Sequence, residues 1–169
     1  FGNQYCTNVI LKKNYQKLVQ QIINHNLSIK RKVKKIANNG YSICAFQTRN
    51  IPHMGHELII STLLKKFDYV VINPIIGPKK KGDVKPMVLD KIFNFLIKNF
   101  YSERLIYMPV IANMFYAGPR EACHHAIIRR NLGFICILIE VVSLTFIPVE
   151  YVLTGKLINF PSSEKSWIL

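Results

Sequence analysis

With 169 residues, half of them apolar, the chain can bury one sizeable core, which makes it a single ordinary domain rather than several. Its 23 Lys and Arg against 9 Asp and Glu give a net charge of +14, a balance that suits anionic ligands through an attraction that salt screens. Cys6, Cys44, Cys123 and Cys136 form no CxxC pair and do not cluster with histidine, which argues against a disulfide framework or a cysteine metal centre and makes a reducing, cytoplasmic setting the expectation.

The first stretch is basic. Lys12, Lys13, Lys17, Lys30, Arg31, Lys32, Lys34 and Lys35 all precede the first acidic residue, Glu57. Residues 15–24 carry Leu18, Val19, Ile22 and Ile23 at helical spacing, and residues 28–38 form a second, very basic helix ended by Asn38-Asn39-Gly40. Residues 42–46 are the first strand, followed by a helix over 55–67. Residues 69–74 form a second strand that leads into the Gly/Lys loop 77–83. Residues 84–99 read as a helix with Pro86 in its first turn. A third short strand spans 105–108, and a long polar-aromatic loop then reaches Gly118-Pro119. Pro119 opens a helix through Asn131, and residues 134–142 close as a fourth strand.

Strands alternating with helices predict a parallel sheet with right-handed crossovers. The longest apolar run, 134–153, is interrupted by Glu140, Pro148 and Glu150, so it reads as buried strand rather than a membrane span of about 20 uncharged residues. The N-terminal residues carry no secretory signal. The chain divides into a basic helical segment over 1–40, a core over 41–142 and a shorter C-terminal segment over 143–169.

The densest chemistry lies in Gln47-Thr48-Arg49-Asn50-Ile51-Pro52-His53-Met54-Gly55-His56, where the first strand ends and a helix begins. In an open α/β sheet that junction is the mouth of the ligand crevice. Backbone N–H groups at the helix start favour an anion there. Arg49, two imidazoles and two amide side chains add a site suited to a polyphosphate whose charge rises during reaction. A polar turn with two solvated histidines has the same local composition.

Further blocks decide between these readings. Gln-Thr-Arg-Asn followed by His-x-x-His resembles the signature of the ATP sulfurylases (sulfate adenylyltransferases), members of the HxGH nucleotidylyltransferase superfamily. Asn73-Pro74-Ile75-Ile76-Gly77-Pro78-Lys79-Lys80-Lys81-Gly82-Asp83 resembles a second segment of that family. A third is Met114-Phe115-Tyr116-Ala117-Gly118-Pro119-Arg120-Glu121-Ala122, followed by His125-Ala126-Ile127-Ile128-Arg129. The blocks occur in the family's order and at fitting intervals, and the resemblance runs from about Val33 to Phe134.

The resemblance implies a Rossmann-like parallel sheet with flanking helices and adenylyl transfer between ATP and sulfate, giving adenylylsulfate and pyrophosphate, or the reverse. Thr48, Arg49, Asn50, His53 and His56 match the family's catalytic positions. Gln47 and Arg49 match the sulfate-binding pattern. Gln47, Thr48, Arg49, Asn50, His53, His56, Gly118 and Arg120 are the implied ATP-binding residues. Mg²⁺ would arrive with ATP rather than in a protein cage, and no other metal or permanent cofactor is expected. Lys79, Lys80 and Lys81 either steer phosphates or form a solvated loop. Arg120 either reaches the site or pairs with Glu121 or Glu103. At least one of His124 and His125 reads as structural, and Tyr116 as packing beneath the loop.

The chain also departs from the family pattern. Family members carry Gly-Arg-Asp-His-Ala-Gly after the strand corresponding to 134–139, whereas this chain continues Glu140-Val141-Val142-Ser143-Leu144-Thr145. From these residues neither the accessory N-terminal domain usual in the family nor a fused kinase is expected, since no GxxxxGK[ST] loop occurs in them. A homo-oligomer or a complementing subunit is one source for the missing loop. Two other readings compete: a different HxGH transferase, which Gln47 and Arg49 disfavour, and a non-catalytic or nucleic-acid-binding protein. The basic stretch lacks interleaved aromatics for stacking bases, which weighs against nucleic acid.

Overall fold

A computed structural model describes residues 13–78, 82–101, 103–142 and 145–148, with the side chains of 13, 14, 140–142 and 145–148 left aside. The lysine triplet 79–81, Cys6 and the segment 149–169 lie outside the described residues. Eleven elements follow in order: α1 (Lys13–Asn38), β1 (Ile43–Gln47), α2 (Met54–Lys66), β2 (Tyr69–Ile72), β3 (Ile75–Ile76), α3 (Pro86–Phe100), β4 (Leu105–Tyr107), β5 (Val110–Ile111), α4 (Pro119–Asn131), β6 (Cys136–Val142) and β7 (Thr145–Pro148).

The main sheet has the order β4-β2-β1-β6-β7. The first four of these strands are parallel, with Ile43 opposite Tyr69, Val70 opposite Leu105 and Cys44 opposite Cys136. This is the parallel α/β sheet that strand–helix alternation predicts, in the Rossmann-like arrangement that the family resemblance implies. The chain winds outward from β1 through β2 to β4, then returns so that β6 pairs on the other side of β1. The reversal makes the β1–β6 boundary a topological switch point, where the crossovers diverge and leave a crevice beyond the strand ends.

Strand β1 is buried along its length, and apolar from Ile43 to Phe46, because both of its faces are covered. Its alternating side chains supply two cores. Ile43 and Ala45 pack with Ile29 and Val33 of α1, Ala126 of α4, and Ile137 and Ile139 of β6. Cys44 and Phe46 pack on the opposite face with Ile60 and Leu63 of α2, Leu89 and Phe93 of α3, and Leu138. The registered Cys44 and Cys136 sulfurs lie 2.9 Å apart and both residues are buried, in keeping with their reading as small core residues.

Three features differ from the sequence expectation. The two N-terminal helices are one continuous α1. Asn26 does not end a helix: its amide bonds the open backbone of Ile111 at 2.9 and 3.1 Å, and Ser28 Oγ donates to His25 O within the helix at 2.7 Å. The second strand stops at Ile72 and resumes as β3, which pairs in parallel with β5 in a separate two-stranded sheet. Pro74 and Pro109 stand at the two breaks, where their missing N–H groups interrupt the ladder. Strand β6 turns back through an irregular register near Glu140 and Val142 into antiparallel β7, a hairpin partner that the pattern does not predict. Among the described residues no helix is long and apolar enough to cross a membrane.

Candidate active site

The site lies at the carboxyl end of β1. Gln47 closes the strand, paired with Ile139 of β6 across the switch point. A cavity of about 190 Å³ opens there, lined by Gln47, Arg49, Met114, Tyr116, Gly118, Glu121, Ala122, His125 and Ile139. Of the residues singled out from sequence, Gln47, Arg49 and Gly118 share this cavity. Thr48, Asn50, His53 and His56 form a separate, adjacent cluster at the start of α2, and Arg120 is exposed in the first turn of α4.

That cluster is tightly organised. His53 is the N-cap of α2, and its Nδ1 accepts the Gly55 N–H at 3.1 Å. His56, three residues on, accepts the His53 backbone N–H on Nδ1 at 3.3 Å, so the two histidines form a reciprocal capping box. With Nδ1 accepting, the His56 proton sits on Nε2, which lies 3.0 Å from Thr48 Oγ1. Thr48 Oγ1 also accepts the Asn50 N–H at 3.1 Å. A Cβ on Gly55 would stand 2.9 Å from Cε1 of the exposed His53 ring, so a side chain there displaces that ring from its cap. The N–H groups expected to greet an anion at this helix start are taken by His53, whose carbonyl accepts from His56 at 2.9 Å and Glu57 at 3.2 Å. The helix dipole remains.

The far wall of the cavity is built by the segment before α4. Gly118 has φ 61 and ψ −133, a conformation open to glycine and closed to residues bearing a Cβ. Tyr116 has φ 57, a strained conformation for a bulky residue. Its hydroxyl donates to Asp83 Oδ2 at 2.7 Å, and the Arg49 guanidinium stands over its ring at 5.9 Å. Glu121 is not taken up by Arg120. Its carboxylate accepts the backbone N–H groups of Phe115 at 2.7 Å and Ala117 at 3.0 Å.

Helix α4 turns a polar stripe inward, with Glu121, His125 and Arg129 all buried. Gln47 Nε2 lies 2.9 Å from His125 Nδ1. Burial pushes the His125 pKa down to about 4, aided by the Arg129 guanidinium and opposed by Glu121, so the ring is neutral near pH 7. Arg129 is fully buried, and burial lowers its pKa to about 9, which leaves it charged at pH 7. It bonds the carbonyls of His125 at 2.9 Å and Asn73 at 2.6 Å, tying α4 to the end of β2. The sequence places His125 and Arg129 in a family-like block and marks at least one of His124 and His125 as structural, without assigning a role to Arg129. The signal was present in the four-residue spacing of Glu121, His125 and Arg129, which places them on one helix face.

Comparisons with known proteins bear on the family. The model of the family named ATP-sulfurylase matches residues 20–139, from within α1 through the parallel part of β6. The chain is 44% identical over 93 residues to the sulfate adenylyltransferase of Pyrococcus abyssi, an alignment covering 54% of this chain and 24% of that protein. The sulfate adenylyltransferase of Staphylothermus marinus is 46% identical over the same shares, and that of Persephonella marina is 42% identical over 59% of this chain and 26% of its own length. The chain therefore spans about a quarter of the length of these relatives. With the parallel sheet, the switch-point cavity and a match over most of its described residues, this chain belongs to the ATP-sulfurylase family.

Proposed function

We propose that the chain carries part of a sulfate adenylyltransferase site, in which a sulfate oxygen attacks the α-phosphorus of ATP, the bond to the β-phosphate breaks, and pyrophosphate leaves. Residues 41–142 act as the nucleotidylyltransferase core, 1–40 as its basic flank and 143–169 as a shorter closing segment. The observation that carries the reading is the cavity that brings the Gln47 amide and the Arg49 guanidinium together at the β1–β6 switch point.

A cavity of about 190 Å³ suits a tetrahedral oxyanion and is smaller than the roughly 300–1,000 Å³ clefts that enclose larger ligands. Sulfate occupies it, held by Gln47 and by Arg49, whose planar fork matches an oxyanion. ATP with Mg²⁺ lies along the open side, over Thr48, Asn50, His53 and the rim formed by Gly118 and Arg120. Sulfate is fully ionised, so no side chain has to remove a proton, and catalysis is positioning plus stabilisation of charge on the phosphates. His53, exposed at the helix start, is placed to meet that charge, while buried His56 holds Thr48 and the His53 backbone.

The family loop Gly-Arg-Asp-His-Ala-Gly is replaced here by the strand that turns into β7. Losing one preorganised donor costs roughly 10²–10³ in rate. The isolated chain accordingly binds ATP–Mg²⁺ with weak or no turnover, and a second copy or a complementing subunit supplies the remaining donors. Calorimetric titration with ATP–Mg²⁺ tests the binding, and pyrophosphate-dependent ATP formation from adenylylsulfate tests the chemistry. Undetectable nucleotide binding overturns the proposal, and turnover matching a full-length relative refutes the account of the missing loop.

A further inference from the structure

Within the cavity, the orientation of the Gln47 amide depends on a neighbour that does not belong to the β1–α2 junction. Gln47 is 3% exposed, and its Nε2 faces His125 Nδ1 at 2.9 Å. The opposite ring nitrogen, His125 Nε2, lies 3.4 Å from Glu121 Oε1. An amide can present either its oxygen or its nitrogen to an imidazole, and the ring tautomer follows that choice. If Gln47 Oε1 faced Nδ1, the proton would sit there, and the bare lone pair of Nε2 would point at a carboxylate oxygen. With Nε2 of Gln47 facing Nδ1, the His125 proton lies on Nε2, the nitrogen on the side of Glu121, whose Oε1 stands 3.4 Å away without a formed hydrogen bond. The carboxylate is itself fixed, since its two oxygens accept the N–H groups of Phe115 and Ala117. Gln47 Oε1 and His125 Nε2 are both buried without a well-formed hydrogen bond among the described residues, so the shared Nδ1 contact is the one that orients the amide.

We infer that His125 is a positioning residue for oxyanion recognition, relaying the charge of Glu121 through its ring to the amide of Gln47 and so fixing the face that Gln47 presents to a tetrahedral dianion. This inference rests on the reading of the cavity as an anion site. It assigns the recognition geometry to α4 as well as to the strand end. It also explains why a buried imidazole and a buried carboxylate line a cavity in a strongly basic chain.

Two measurements on the full chain test it. Nitrogen-15 spectra of labelled histidine report the tautomer directly: the Nε2–H form is expected for His125, and an Nδ1–H form overturns the relay whether or not an anion binds. Calorimetric titration with sulfate then compares variants. His125→Leu should weaken sulfate roughly 10- to 100-fold, the loss of one oriented buried hydrogen bond. His125→Asn, whose Oδ1 takes the place of Nδ1 and accepts from Gln47, should recover most of that affinity. ATP–Mg²⁺ affinity should stay within about threefold in both. Equal sulfate affinity in the wild type and His125→Leu overturns the inference, as does parallel loss of sulfate and ATP in both variants, which marks a merely structural role. A wild-type chain that binds no sulfate overturns the anion reading instead, and the tautomer then decides the relay by itself.

Discussion

His56 and Thr48 form a buried pair, with Nε2 of one 3.0 Å from Oγ1 of the other, and the His56 ring is fully enclosed between Phe46 at 5.8 Å and His53 at 4.0 Å. The two histidines of the HxGH motif therefore differ in environment. His53 is at the surface, and His56 joins the strand end to the first turn of α2.

This difference predicts unequal stability costs. His56→Ala removes a buried ring with its contacts to Thr48 and the His53 backbone and should destabilise the chain by about 3–5 kcal/mol, in the range for large buried side chains. His53→Ala removes an exposed cap and should cost about 1 kcal/mol. Urea unfolding followed by circular dichroism measures both, and equal costs would contradict the capping geometry.

The buried Arg129 predicts a second large effect. Arg129→Ala leaves the Asn73 carbonyl without its charged donor and opens a void beneath α4. A loss of about 3 kcal/mol or more is expected, in the range for unsatisfied buried groups and core truncations. A change under 1 kcal/mol in the same unfolding assay would mean that the guanidinium does not tie α4 to β2.

His125 gives the chain a pH dependence of known sign. Its folded pKa is lowered to about 4 from the usual 6.5 by burial and by Arg129. Between those values the unfolded chain binds more protons, so stability rises with pH across this window and is lost as pH falls from about 6.5 towards 4. His125→Leu lacks the titrating group and should show a flatter stability profile between pH 6.5 and 4. Parallel profiles for the two chains would exclude His125 as the source.

Arg49 and Arg120 should separate by salt dependence. Arg49 lines the cavity over Tyr116, and its loss should weaken sulfate by tenfold or more, roughly the value of a charge-assisted contact, and abolish any residual turnover. Arg120 is exposed on the rim, so Arg120→Ala should weaken ATP–Mg²⁺ about two- to threefold, with the difference vanishing at high salt. Titrations at low and high ionic strength distinguish the two, and a salt-insensitive loss at Arg120 would place its side chain inside the site.

Much of this protein was legible from local pattern. The apolar runs around 43–46, 69–72, 105–107 and 136–139 mark strands because a parallel strand covered on both faces needs continuous apolar residues. Pro119 and the Asn-Gly after α1 mark helix ends by backbone chemistry that needs no tertiary context. The Gln47-to-His56 segment, together with the two ordered blocks after it, pointed to the family because each block is contiguous along the chain. The tertiary structure alone decided the rest. Asn26 and Ser28 carry helix-breaking propensity, yet α1 runs through them because the edge strand β5 supplies Asn26 with backbone partners 85 residues away. The division of labour between His53 and His56 depends on which ring the Phe46 core encloses, and the Gln47–His125 contact spans 78 residues. Local sequence sets which backbone conformations are accessible, whereas burial and partner choice for polar side chains are set by chain segments far apart in sequence, through the desolvation that makes an unpaired group costly.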